Sequence, residues 1–144
     1  MAAHPTDSIV IHATTVSLAG NAALIRGASG SGKSALALRM IALGAGLIAD
    51  DRTCLTRAAR AIVASAPAAI AGQIEARGVG ILNVPAAEPC RVTLIVDMNR
   101  TEMARLPAPK TTQLLDAALP EIGKIDADYF PAALCLYLQH GGVA

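Results

Sequence analysis

The chain has 144 residues, is 53% hydrophobic but only 2% aromatic, and carries a formal net charge of +1. That length suffices for one domain with its own core, and the near-neutral charge excludes the basic footprint of a nucleic-acid binder. Cys54, Cys90 and Cys135 are odd in number and widely spaced, which argues against a disulfide framework or a cysteine metal site and predicts a reduced, cytoplasmic protein.

The uncharged stretch from Ser8 to Ile25 is long enough to consider as a membrane span, but His12, Thr14, Thr15, Ser17, Gly20 and Asn21 interrupt it. No membrane partner is expected, and the N-terminus lacks the basic segment and apolar core of a signal peptide. Short strands are predicted over Thr6 to His12 and Thr14 to Leu18, with a turn near Gly20-Asn21 and a buried strand at Ala22 to Ile25. Gly27-Ala28-Ser29-Gly30-Ser31-Gly32-Lys33-Ser34 follows, a complete Walker A sequence leading into a helix predicted from Ser34 to Leu43. Leu36, Met40 and Leu43 share one face of that helix, Leu38 and Ile41 lie beside them, and Gly44 and Gly46 stop it. The glycines let backbone N–H groups curl inward around phosphate oxygens, and the helix adds the positive end of its dipole. Lys33 can then reach the β- and γ-phosphates of a nucleoside triphosphate, and the Ser34 hydroxyl can ligate Mg²⁺.

Leu47-Ile48-Ala49 reads as a strand delivering Asp50 and Asp51 at its C-terminal end. Adjacent carboxylates leaving a strand point to opposite sides, so only one faces the nucleotide unless the strand ends between them. Capping or a turn is the bland alternative for the pair. A hairpin is predicted around Thr56 to Arg60, then Pro67 and a helix over about Ala68 to Ile74. Glu75 and Arg77, followed by Gly78-Val79-Gly80, form either a loop that clamps a charged ligand or a surface ion pair at a helix end. His12 sits on a strand, where a solvated or core-satisfied imidazole is the usual case, and His4 and His140 carry no signal. Val92 to Val96 is a clear strand ending at Asp97, Leu119 to Ile122 an edge strand that tolerates Pro120, and Tyr129 to Leu138 a terminal helix with Pro131 in its first turn. The alternation predicts an α/β P-loop domain with a mixed sheet.

His12, Gly20, the loop from Gly27 to Ser34, Leu47 to Asp51, and Glu75-x-Arg-Gly-Val-Gly-Ile-Leu-Asn-Val ending at Val84 occur in an order and spacing that resembles the catalytic domain of HPr kinase/phosphorylase. The resemblance implies a fold similar to the phosphoenolpyruvate carboxykinase type, and phosphorylation by ATP and Mg²⁺ of a serine on an HPr-like phosphocarrier protein. Carried across by position, it implies that Lys33 stabilises the transferring phosphoryl group, Ser34 and Glu75 ligate Mg²⁺, Asp51 is the general base, and His12 and Arg105 belong to the catalytic site. The resemblance allows for homo-oligomers, and a single catalytic domain over residues 1–144 is expected, without the separate N-terminal domain of the long members. There are two departures: Ala35 stands where the family carries Glu, and the Pro-Val-basic-x-Gly-Arg loop associated with the reverse phosphorolysis has no match around Ile125 to Tyr129. The competing readings are a small-molecule kinase on the same loop and a nucleotide-sensing module without catalysis.

Overall fold

The computed structural model describes residues 7–67 and 71–142. Strands β1 (Ser8–Ile11), β2 (Ala13–Leu18) and β3 (Asn21–Arg26) lead to helix α1 (Lys33–Ala42), followed by β4 (Gly46–Ala49), β5 (Thr53–Ala58) and β6 (Ala61–Ser65). A small hairpin of β7 (Gln73–Ala76) and β8 (Gly80–Asn83) comes next, then β9 (Cys90–Thr101), β10 (Thr111–Leu114), β11 (Ala117–Lys124) and helix α2 (Phe130–His140). The main sheet runs β1-β5-β6-β9-β3-β2-β4, with β11 joined to β9 and β10 to β11. Its strands are mixed in direction: β3 and β11 lie parallel to β9, while β2, β4, β5 and β6 make antiparallel pairs.

The uncharged Ser8 to Ile25 stretch is thus three short strands, and among the described residues no helix is long and apolar enough to cross a membrane. Ala22, Ala23, Leu24 and Ile25 are all fully buried because β3 is covered on both faces. Ala23 and Ile25 join Leu36, Met40, Leu94, Val96, Phe130 and Leu134 beneath the two helices. Ala22 and Leu24 join Ile95, Leu55 and Ile62 on the other face, where the sheet curls over itself. Helices on one face and folded-over strands on the other let a chain poor in aromatics fill its interior with small side chains.

Several local expectations change in three dimensions. Helix α1 closes at Ala42 and the chain turns through Gly44, so Leu43 is carried to the surface while Ala37 takes a place in the core. The helix expected over Ala68 to Ile74 begins in residues outside those described, and its second half is a turn at Gly72 followed by β7. Ile74 and Ala76 point inward with the period of a strand, so packing overrides alanine-rich helix propensity. Strand β9 does not stop at Asp97 but runs to Thr101, because β6, β3 and β11 pair with successive parts of it. Pro120 lies in the half of β11 that pairs with β10, before the β9 partners begin at Glu121. β11 is therefore not a simple edge strand.

Glu121 is the buried carboxylate among the described residues. Its carboxylate accepts from Arg26 Nη2 at 2.5 Å and Thr112 Oγ1 at 2.9 Å, with Lys110 Nζ at 3.4 Å and Arg100 Nη2 at 3.9 Å. These contacts tie the end of β3, immediately before the glycine loop, to β9, β10 and β11. Burial alone would raise the Glu121 pKa, but the hydrogen bonds from Thr112, Arg26 and Lys110 outweigh it and hold the carboxyl below the usual glutamate range. A depressed folded-state pKa means that the stabilisation is fully present above the unfolded-state pKa and is lost as pH falls through the folded-state value. Glu121→Gln should therefore lower stability by about 3 kcal/mol at neutral pH, the cost of breaking a buried pair. Urea unfolding between neutral and acid pH should find this deficit shrinking as the parent's own Glu121 becomes protonated.

Candidate active site

The loop between β3 and α1 is built around backbone angles that side chains resist. Gly30 and Gly32 take φ of 82° and 99°, and a Cβ on Gly27 would meet Ser31 Oγ at 2.6 Å and Met98 Cβ at 3.0 Å. Gly32 is the N-cap of α1 and supplies no capping side chain, which leaves the first-turn N–H groups without a side-chain partner, as an anion site requires. The start of the loop is anchored from β9: the Ala28 N–H donates to Asn99 Oδ1 at 2.9 Å, and the Asn99 N–H donates to Asp97 Oδ1 at 2.9 Å. Lys33 is buried, and its Nζ donates to the carbonyls of Gly27 at 2.8 Å and Ala28 at 3.2 Å. The ammonium thus lies folded against the loop that would hold phosphate.

Strand β4 ends at Ala49, so neither aspartate is bound to the alternation of a strand. Asp51 adopts φ of 66°, in the left-handed region that Asp enters more readily than most side chains. This bend turns both carboxylates to the same neighbourhood. Asp50 accepts from Ser34 Oγ at 2.7 Å, Thr14 Oγ1 at 3.0 Å and the Glu75 N–H at 3.2 Å. Asp51 donates its N–H to Thr14 Oγ1 at 3.1 Å, and its carboxylate Oδ1 contacts His12 Nε2. His12 is neither free in solvent nor part of the core. It lies in the bend between β1 and β2, half-exposed, with Asp51 as its partner.

Glu75 is on β7 and Arg77 in the turn after it, where Gly78 has φ of 84° and the Val79 N–H donates to the Ala76 carbonyl at 2.9 Å. Among the described residues no ion pair joins Glu75 to Arg77, which removes the helix-end ion pair from consideration. Instead Ser29, Gly30, Gly32, Lys33, Ser34, Ala35, Asp51, Glu75 and Arg77 line one open cleft of about 350 Å³. Arg105 lies apart, in the exposed segment between β9 and β10, and lines no part of this cleft. The residues that sequence reasoning passed over are Thr14 and Asn99, each a short polar side chain in a β-rich run with no motif around it. Asp50 was paired with Asp51 in the sequence, but nothing there distinguished its link to Ser34.

Among the described residues no three His, Cys, Asp or Glu converge as a ready-made metal cage. The Ser34 hydroxyl with nearby Glu75 still suits Mg²⁺, which typically takes one or two protein oxygens and completes its shell with phosphate and water.

A parallel strand, a glycine loop and a buried lysine opening a helix define the chain as an α/β P-loop domain on a mixed sheet. Comparison with known proteins then narrows the class: the family model of the HPr Serine kinase C-terminal domain matches residues 4–120, and the chain belongs to that family. It is 35% identical over 121 residues to an HPr kinase/phosphorylase of Aromatoleum aromaticum, covering 75% of this chain and 39% of that protein. It is 41% identical over 76 residues to one from Clostridium acetobutylicum, covering 53% of this chain and 25% of that protein. The chain therefore spans well under half the length of these relatives. The solved Hpr(Ser) kinase/phosphatase from Coxiella burnetii shares the fold with a TM-score of 0.76 at 23% identity, over 91% of this chain and 94% of that one.

The three donors around Asp50 generate a direct test. Asp50→Asn keeps an oxygen for Ser34 and Thr14, which share Oδ1, but sets an NH₂ group against the Glu75 N–H that Oδ2 receives, and at this half-buried position the mismatch costs about 1 kcal/mol, the low end of the range for an unsatisfied donor. Urea unfolding in the absence of nucleotide should show a loss of that size.

Proposed function

We propose that the chain is an ATP- and Mg²⁺-dependent protein-serine kinase, acting as one domain on an HPr-like phosphocarrier protein. The observation that carries this reading is one cleft holding the Walker lysine and serine together with Asp51, itself in contact with His12. Regulation through carrier phosphorylation in the cytoplasm is part of the same reading, as is a capacity for homo-oligomers.

In this proposal the phosphate chain of ATP lies on the backbone N–H groups of the loop from Gly27 to Ser34. Lys33 leaves the Gly27 and Ala28 carbonyls and turns its ammonium to the terminal phosphates. Ser34 and Glu75 are the residues that would hold Mg²⁺, and Asp50 orients the Ser34 hydroxyl. Held there, Mg²⁺ would supply charge neutralisation for the transferring phosphoryl group. The carrier's serine hydroxyl attacks the γ-phosphorus in line, the bond to the bridging oxygen breaks, and ADP leaves. The hydroxyl proton passes to the Asp51 carboxylate. Because His12 engages Oδ1, Oδ2 remains to accept that proton. Arg77 borders the cleft, where a guanidinium can brace the transferring group. The role implied for Arg105 would require its exposed segment to swing toward the cleft or to serve a neighbouring copy.

Lys33→Ala should abolish tight MgATP binding by calorimetry, whereas Asp51→Asn should keep binding and slow transfer by roughly 10²-fold or more, the scale of a lost positioned base. A dead Lys33→Ala variant that still bound MgATP like the parent would overturn the assignment of the loop.

Direction is the second test. Phosphorolysis needs an extra anion held in line behind the phosphoserine by added cationic and backbone donors. Here residues 125–129 carry Asp126 and Asp128 and no cation. Pyrophosphate release from serine-phosphorylated HPr in millimolar inorganic phosphate should be weak or absent beside a robust forward reaction.

A further inference from the structure

A second cavity, also about 350 Å³, begins where the first cleft ends, since Gly32 and Ala35 wall both. Its volume falls within the roughly 300–1,000 Å³ range of small-molecule sites. Four features bear on what it takes. Its inner wall is apolar, from Leu36, Met98, Ile125 and Phe130, which suits a flat ring system. Its polar lining has both signs, with Arg39 on α1, Lys124 at the end of β11, and Asp126 and Asp128 in the segment leading to α2. Among the described residues none of these four side chains makes an ion pair or a hydrogen bond, so they are available to a ligand. Finally, Ala35, which walls both the cleft and the cavity, is exposed and presents only a methyl group between them.

We infer that this cavity is the nucleoside subsite of the phosphate donor, with Asp126 and Asp128 as its hydrogen-bond acceptors. The inference rests on the reading of the glycine loop as a nucleoside triphosphate site. A donor whose phosphates lie on the N–H groups at Gly32 and Lys33 passes its ribose over Ala35 and places its base against Leu36 and Met98. Carboxylates at the rim accept from ribose hydroxyls and from the exocyclic amine of an aminopurine. The same two aspartates that make residues 125–129 unfit to hold a second phosphate thereby gain a use. The segment is adapted to the neutral, donor-rich end of the nucleotide.

The probes are MgATP and inorganic triphosphate with Mg²⁺, measured by calorimetry on the whole chain. The parent should bind MgATP at least about tenfold more tightly than inorganic triphosphate, because only ATP fills the cavity. Ala127→Trp, which adds an indole to the cavity wall away from the glycine loop, should weaken MgATP by about tenfold or more and leave inorganic triphosphate within about twofold. The exposed pair Asp126→Ala with Asp128→Ala removes both acceptors and should weaken MgATP by about threefold or more without weakening inorganic triphosphate, and it guards against misfolding of the bulkier variant. Equal affinity of the parent for both ligands, an Ala127→Trp variant that binds MgATP like the parent, or equal loss of both ligands in the two variants would overturn the subsite while leaving the glycine-loop reading intact. A parent that binds neither ligand would overturn that reading itself.

Discussion

The carboxylate of Asp50 is the junction on which the rest of the site depends. It gathers a hydroxyl from α1 through Ser34, a hydroxyl from β2 through Thr14 and a backbone N–H from β7 at Glu75. A carboxylate has acceptor positions for all three and no donor of its own, so one side chain can satisfy groups from separate elements without conflict. Thr14 extends the junction by accepting the Asp51 N–H, which steadies the left-handed turn that presents the second carboxylate. Serine, glutamate and Asp51 reach one cleft because their backbones converge on this point.

A second constraint works from beneath. The glycine loop is suspended between β3 and the long β9, and both strands are held by polar contacts at that level. Arg26, the last residue before the loop, is locked onto buried Glu121, while Asn99 holds the Ala28 N–H from the other side. Close packing leaves little slack: Met98 stands 3.0 Å from where a Gly27 side chain would begin. The loop thus keeps its curl without ligand, which lowers the ordering cost of binding an anion.

Charge is distributed accordingly. Helix N–H groups without a side-chain cap face the glycine loop, with the Lys33 ammonium folded against it, a carboxylate in contact with histidine lines the cleft, and two aspartates that are unpaired among the described residues border the adjoining cavity. In the proposed reading each group meets a part of the phosphoryl donor or acceptor of opposite polarity. The separation into a polar cleft and a partly apolar cavity follows from α1 itself, whose first turn ends one and begins the other.

Sequence by itself determined the elements whose signal is local. The glycine spacing from Gly27 to Ser34 requires a curled backbone, the Ala22 to Ile25 run requires burial on both faces, and the order of motifs from His12 to Val84 carries the family. Tertiary structure decided what depends on partners distant in the chain. Residues 71–76 became a turn and strand rather than a helix because Ile74 had a core to reach, and β9 ran on to Thr101 because β11 was there to pair with it. Asp50 and Asp51 differ in their partners, Ser34 and His12, which lie 16 and 39 residues away respectively. Periodicity and motif spacing report only what neighbours along the chain impose. Hydrogen bonds between such distant groups exist only once the sheet has brought them together, and that is where the individual roles of Thr14, Asp50 and Asn99 are defined.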